Sequence, residues 1–367
     1  MIEAFRQFIE QQQLCLPGDK ILVAVSGGMD SVVLLDLFSK TNFQIAVAHC
    51  NFSLRGAESD EDEQFVKELC LKHRLDFFVK KFDTKKYSKE TGLSIQEAAR
   101  NLRYEWFDEL AEKHSYNHIA VAHHFDDQAE TFFINLFRGS GVSGLKGMPV
   151  KRGKIIRPLL FSRRAEIEKC AIENKLNFRE DSSNSSDNYL RNRIRHNILP
   201  EIEKLANNFQ KTLDNSLEYL AEDEILLKQL IEEKKQNIFL KRKKEYIIPK
   251  ISLLELDHSA VWLFYLLRDF GFNRTVASEI FSALLEQKVG KVFMSDNHQV
   301  LVDRDQLILR EKAKKMIHKR KWHLRKKSIS LPLKLTPLVF ENTGGEILKA
   351  EASVAYFDFE KLKFPLL

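Results

Sequence analysis

LVAVSGGMDSVVLLDLF, residues 22–38, decides the fold. An apolar run of strand type stops at Ser26-Gly27-Gly28 and resumes with helical rather than alternating spacing, so a strand passes through a tight turn straight into a helix. Such a turn exposes several backbone N–H groups, with the positive end of the helix dipole behind them, which makes it an anion cradle. The glycines let the backbone approach a phosphate closely, and Ser26 and Ser31 add hydroxyl donors. Asp30 is the odd member, because a carboxylate beside a phosphate repels it unless a cation lies between. A Mg²⁺ bridging Asp30 to phosphate oxygens resolves the conflict. The plainer reading is a glycine turn whose Asp30 caps the helix. No Lys-Ser/Thr pair follows the glycines, so this is not a Walker A loop.

Outward from the turn, short β-type runs alternate with helical patterns through the front half. Strands are expected over 21–26, 43–51, 76–83 and 118–125, and helices over 30–40, 58–73, 95–114 and 127–137. Strand, helix, strand, repeated, predicts an α/β fold with a doubly wound parallel sheet. Ligands of such sheets sit at the carboxyl ends of the strands, so SGGMDS (26–31), HCN (49–51) and AHHFDD (122–127) should converge on one crevice. The glycine-rich 138–154 reads as a mobile loop. Gly139, Gly141 and Gly144 match G-x-G-x-x-G but follow a helix instead of a strand, so the dinucleotide reading fails its own context. A run at 155–160 and a helix over 163–174 close the first domain, and the polar stretch 180–196 marks its boundary. Beyond it come a long charged amphipathic helix over 200–236, helices over 253–270 and 275–287, strands within 292–309, and a basic run at 312–327.

The net charge of +6 hides a division. Residues 1–150 hold 17 Lys and Arg against 22 Asp and Glu, while the rest hold 41 against 30. The basic back suits a polyanionic partner as well as it suits a plain solvated surface. Cys15, Cys50, Cys70 and Cys170 are scattered without C-x-x-C spacing and read as free, mostly buried thiols of a reducing, cytoplasmic compartment. The N-terminus is not built like a signal peptide, and no apolar run is long enough to span a membrane.

The SGGMDS turn resembles the pyrophosphate loop of the ATP pyrophosphatase superfamily, which cleaves ATP between its α- and β-phosphates. Four further segments narrow the resemblance: HCNFSLRGAESDEDEQFV (49–66), EAARNLRYEWF (97–107), AHHFDDQAETFFINLFRGSGVSGLKGM (122–148) and EDSSNSSDNYLRNRIRHNILP (180–200). With RPLL at 157–160 they are similar, in order and spacing, to the tRNA(Ile)-lysidine synthetase family. The resemblance implies joining of L-lysine to C2 of the wobble cytidine in a tRNA(Ile) with a CAU anticodon, by way of an adenylated tRNA, with release of AMP and pyrophosphate. It implies ATP on Ser26, Gly27, Gly28, Met29, Asp30 and Ser31, Mg²⁺ on Asp30 and Asp127, and lysine on Asp127 and Glu130.

Residue by residue, Asp127 and Glu130 share a helix face at i, i+3, where a carboxylate pair holds a metal, grips ammonium groups or caps the helix. His123 and His124 tempt a zinc assignment, but neighbours on a strand point to opposite faces, and a phosphate site is served by Mg²⁺. Arg100 and Arg103 lie on the preceding helix within reach of an α-phosphate; Arg103 is taken as catalytic with Asp30 and Asp127, and Arg100 as structural. The plainer alternative is an ion pair with Glu97 or Glu105. Arg55 sits in an expected mobile loop. Arg191, Arg193, Arg195 and His196 form a cationic run suited to tRNA phosphates, or to an interdomain hinge held by salt bridges.

Three parts are expected: a catalytic domain at 1–200, a helical tRNA-binding domain at 201–311, and a basic linker with the start of a C-terminal domain at 312–367. The last segment, AYFDFEKLKFPLL, has the character of a strand entering a core, which predicts continuation into a further domain. A homodimer stays open. A tRNA-thiolating relative needs paired thiols that this chain lacks, and a non-catalytic RNA-binding protein would have no use for an intact SGGMDS, Asp127 and Glu130.

Overall fold

In the computed structural model, which describes residues 1–179 and 190–312, β1 (Lys20–Ala24) sends alternate side chains into two different cores. Ile21 and Val23 join one cluster and Leu22 the other. β2 (Gln44–Asn51) divides in the same way, with Val47 on the first side and Ala46 and Ala48 on the second. A strand with two apolar faces requires a sheet covered on both. The helices Ile2–Gln11, Met29–Ser39 and Arg164–Glu173 cover the first face through Phe5, Leu34, Phe38 and Ile167, and Ile95–Lys113 covers the second through Trp106, Phe107 and Leu110. Leu34 is fully buried, and its truncation to Ala is expected to cost about 2–5 kcal/mol.

β3 (Asp76–Lys81), β4 (His118–Ala120), β5 (Lys151–Arg152) and β6 (Ile155–Ile156) complete the sheet in the order β3-β2-β1-β4-β6-β5. All pairings are parallel except β5 on β6, an antiparallel edge hairpin. The four expected front strands all form, yet β4 is cut to three residues because the chain leaves the ladder after Ala120 and returns for one bridge, His124 to Leu159. Since β1 lies between β2 and β4, the strand order reverses beside it, and a crevice opens there.

A polar helix, Thr84–Thr91, capped by Asp83, was not foreseen. The glycine-rich connection is structured, with the helix Val142–Leu145, an Asn135 Nδ2 hydrogen bond to Gly144 O (2.7 Å) and a Lys146–Glu224 ion pair. Arg157 of RPLL is buried and donates to Pro149 O (2.6 Å), so it ties down the same connection. The expected 200–236 helix is two, Leu199–Leu205 and Phe209–Ile238, interrupted at 206–208.

By its contacts the chain divides into Met1–Glu233 and Lys234–Leu367. The second unit is an antiparallel sheet with helices on one core. β7 (Leu240–Arg242), β8 (Glu245–Pro249), β9 (Val292–Met294), β10 (His298–Val302) and β11 (Gln306–Glu311) run in the order β7-β8-β11-β10-β9. Ile248, Val300, Leu307 and Leu309 pack with Leu263, Leu266 and Leu267 of Ser259–Arg268 and with Ile280 and Leu284 of Arg274–Leu285. The expected strands at 292–309 are present, and β7 and β8 add to them. The basic run 312–327 and the final segment lie outside the described residues, save Lys312. Among the described residues no helix is long and apolar enough to cross a membrane.

Candidate active site

Gly27 makes the opening turn possible. Its φ is +97°, a conformation that side chains disfavour, and a Cβ there would meet Phe65 and Val66 at 3.5 and 3.6 Å. The turn is stitched by Ser31, whose Oγ donates to Gly28 O (2.8 Å) and accepts from Ser26 N (3.2 Å). From outside the turn, Arg179 N donates to Gly27 O (3.0 Å). Of the first-turn amides of Met29–Ser39, Ser31 N is spent on Gly28 O (3.1 Å), while the two before it have no intrahelical acceptor. Gly28, Met29, Asp30 and Ser31 line a cleft of about 1040 Å³ at the carboxyl ends of β1, β2 and β4.

Two of the three polar clusters meet there as expected, and the third turns over. Cys50 faces the cleft, while His49 and Asn51 point away: the His49 Nδ1–H donates to Val25 O (2.8 Å), and Asn51 donates to Asp60 and Glu63. Burial holds His49 below its ordinary pKa, which keeps the ring neutral. Alternation along β2 is the cause. The four cysteines are free, and burial pushes the Cys15, Cys50 and Cys70 thiols up to about 12, so none is a ready thiolate.

Asp30 is half-buried. Its Oδ2 lies 3.3 Å from Arg164 Nη1 and 3.8 Å from His124 Nε2, while its buried Oδ1 has no partner. Burial raises its pKa above the usual carboxylate value, against the pull of His124 and Arg164. An orphaned carboxylate oxygen beside a phosphate cradle fits a hard cation completed by phosphate oxygens. Among the described residues no cluster of three or more His, Cys, Asp or Glu has metal-ligating geometry, so a metal here would depend on the nucleotide.

His124 caps Phe125–Phe137 and, at 1% exposure, sits among three acids. Its Nε2 is 3.5 Å from Asp127 and its Nδ1 3.3 Å from Asp126. Burial alone would lower its pKa; Asp127, Asp126 and Asp30 together raise it. His123, by contrast, faces the cleft, and desolvation lowers it to about 4. As expected of neighbouring histidines, one of the two, His123, lines the cleft, while it is His124 that stands among the acids.

Asp127 and Glu130 are brought together and already have partners. Arg191 reaches both, Nε to Glu130 Oε2 at 2.5 Å and Nη2 to Asp127 Oδ1 at 2.7 Å. Arg195 Nε holds Glu130 Oε1 at 2.5 Å, with its Nη2 3.5 Å from Asp127. Asp127 Oδ2 accepts from His124 N (3.1 Å), the capping role expected as its plainer reading. Asp127 thus carries a close partner on each oxygen, the Arg191 guanidinium on Oδ1 and the His124 amide on Oδ2. Burial would raise its pKa, but His124, Arg191 and His123 bring it down to about 2. Glu130 is fully buried. The cationic run therefore divides: Arg191 and Arg195 turn inward from Leu190–Arg193 and the π-helical turn Ile194–Ile198, while Arg193 and His196 are exposed.

Arg103 lines the cleft with its guanidinium 5.2 Å from the Phe52 ring centroid. Glu97 is spent on a capping box with Ser94, and among the described residues Arg103 forms no ion pair. Arg100 is exposed and stacks on Tyr104 (5.1 Å). Arg55 is not loose; it pairs with Asp62 at 2.7 Å. Sequence reasoning missed Arg164 and the cap that Asp126 Oδ2 provides for Arg164 N (2.8 Å). Only their place after RPLL, in a predicted helix start, hinted at them.

A PP-loop domain model matches residues 1–202 and a TilS substrate binding domain model residues 241–312. A tRNA(Ile)-lysidine synthase of Parabacteroides distasonis is 36% identical over 368 aligned positions, which span 100% of this chain and 83% of the relative. One from Bacteroides thetaiotaomicron is 39% identical, covering 83% of this chain and 70% of its own length. Among solved structures, the U34-tRNA thiolase NcsA from Methanococcus maripaludis superposes with a TM-score of 0.50 at 20% identity, covering 60% of this chain and 79% of that one, a likeness of fold alone.

Proposed function

The chain belongs to the tRNA(Ile)-lysidine synthase family, and from that premise we propose how its residues divide the work. It is an ATP-using enzyme that modifies tRNA. ATP lies in the cleft with its phosphates on the Ser26–Ser31 turn and its base against Ala24, Ala48, Phe107 and Val121. The cytidine C2 oxygen attacks the α-phosphorus, and the electron pair of the broken P–O bond leaves with pyrophosphate. The lysine ε-amine then attacks C2, and AMP departs with the former C2 oxygen. Arg103 stabilises charge at the α-phosphate. Asp30 would hold Mg²⁺, which when bound offsets the phosphate charge. The amine has a free pKa of about 10.4 and must lose a proton before it attacks.

The observation that carries this reading is the shared wall of the two half-sites. His124 stands 3.8 Å from Asp30 on the phosphate side and 3.5 Å from Asp127 on the carboxylate side, so adenylation and amine attack are served from one place. We assign Asp127 and Glu130 to the ammonium groups of L-lysine. The guanidiniums of Arg191 and Arg195 hold these seats until tRNA phosphates draw them away, which reconciles the hinge and the phosphate reading of the cationic run. Arg193 and His196, already exposed, meet the tRNA first. In functional terms, residues 1–200 bind ATP and lysine, and 201–311 with 312–367 hold the tRNA. Mass spectrometry of tRNA(Ile) with a CAU anticodon, incubated with ATP and lysine, is expected to locate one lysine on the wobble cytidine. An unmodified tRNA would overturn the reading.

A further inference from the structure

Among the described residues, three arginines line the nucleotide cleft: Arg103, Arg164 and Arg179. Arg179 is held by two carboxylates, its Nε on Asp62 at 2.5 Å and its Nη2 on Glu61 at 2.7 Å, which fastens the Ala57–His73 helix behind the turn. Arg103 lies over Phe52, past the end of β2. Arg164 is different. Its backbone N is fixed by Asp126, its guanidinium stands beside the Ser26–Ser31 turn, and its one hydrogen bond among the described residues is the 3.3 Å contact with Asp30. A charge-assisted guanidinium–carboxylate bond is usually about 2.7–2.9 Å and often two-pronged. Glu168, one helical turn on, lines the same cleft, is exposed and forms no ion pair with Arg164 among the described residues. Most of the Arg164 donor fork is thus unspent, at the mouth of an anion cradle.

We infer that Arg164 is a catalytic residue for the adenylation step, holding the β- and γ-phosphate oxygens and stabilising the pyrophosphate that leaves. The inference rests on the reaction proposed above. As the cytidine C2 oxygen bonds to the α-phosphorus, the bond from that phosphorus to the bridging oxygen breaks and its electron pair passes to pyrophosphate. In this assignment the donors of Arg164, beside the turn that takes the phosphates, meet the side on which that charge grows, and Arg103 serves the α-phosphate. In the free chain Asp30 holds the guanidinium in place; a cation taken up by Asp30 with the nucleotide releases the fork toward the phosphates.

Pyrophosphate itself is the probe. Binding of inorganic pyrophosphate with Mg²⁺ to the full 367-residue chain, followed by calorimetry, should weaken at least about 10-fold in Arg164→Ala, whereas AMP binding changes less than about 2-fold. In turnover, tRNA-dependent AMP release should fall by about 10²–10³-fold, and Arg164→Lys, which keeps the charge and loses the fork, should fall between. Equal weakening of pyrophosphate and AMP, or unchanged pyrophosphate binding in either variant, overturns the assignment. Circular dichroism identifies a variant that has not folded, in which case Arg164→Lys decides. A wild-type chain that binds pyrophosphate but never adenylates tRNA would instead sink the proposed reaction, and the binding comparison would still judge Arg164.

Discussion

Arg191→Ala, assayed without tRNA, tests whether the carboxylate pair is a lysine seat held by a stand-in. In the tRNA-free chain a lysine ammonium must displace the guanidinium that touches Glu130 at 2.5 Å and Asp127 at 2.7 Å. The magnitude follows from the surroundings. Glu130 is fully buried, which strengthens the pair, but the Arg191 side chain is 42% exposed and Arg195 stays on the other Glu130 oxygen at 2.5 Å. Half-exposed pairs with a second cation in support fall near the upper end of the surface range, about 1 kcal/mol. Removing Arg191 should therefore lower the lysine Kd about 5-fold. Equilibrium dialysis of radiolabelled lysine against both chains reads this directly. Removing both arginines is a different experiment, since it strands the Glu130 carboxylate at a cost of about 3–5 kcal/mol and endangers the fold. Weaker lysine binding in Arg191→Ala would refute the reasoning and make the arginine part of the seat's scaffold.

Asp30→Ala should abolish tRNA- and lysine-dependent AMP formation with an unchanged circular dichroism spectrum; retained turnover removes Asp30 from the phosphate chemistry. Arg193→Ala touches an exposed residue, so stability should stay put while the log–log salt slope of tRNA binding flattens by about 0.7–0.9, and an unaltered slope means no phosphate contact. His123 titrates at about 4 in the folded chain, below its ordinary 6.5. Between those values the unfolded chain binds a proton that the native one does not, so the contribution of His123 is complete above pH 6.5 and drains away as pH falls toward 4. Urea unfolding should accordingly give His123→Asn a shallower acid slope than wild type, by up to about 1.4 kcal/mol per pH unit, reduced because the ring keeps some contact with the cleft; parallel curves would rule this out.

The strand–turn–helix of residues 22–38 was legible because its causes are local. A continuous apolar run marks β1 as a strand covered on both faces, the helical spacing that follows settles the next element, and Gly27 permits a φ that no neighbour has to enforce. Asp127 and Glu130 were likewise readable as a pair, being one helical turn apart. Elsewhere local signals ran out. β4 stops at Ala120 because β6 offers only Ile155 and Ile156 to pair with, and β7, β8 and Thr84–Thr91 are short or polar enough to leave no periodicity. The larger gap concerns partners. Arg191 lies 61 residues from Glu130, and Arg164 lies 134 from Asp30. Both pairs exist only because strand order places the ends of β1 and β4 side by side and folds the later helices onto them. A sequence determines which side chains carry charge and which face of an element they occupy. Which charges meet, and so whether an arginine awaits a phosphate or already holds a carboxylate, follows from long-range packing that burial of the two cores imposes.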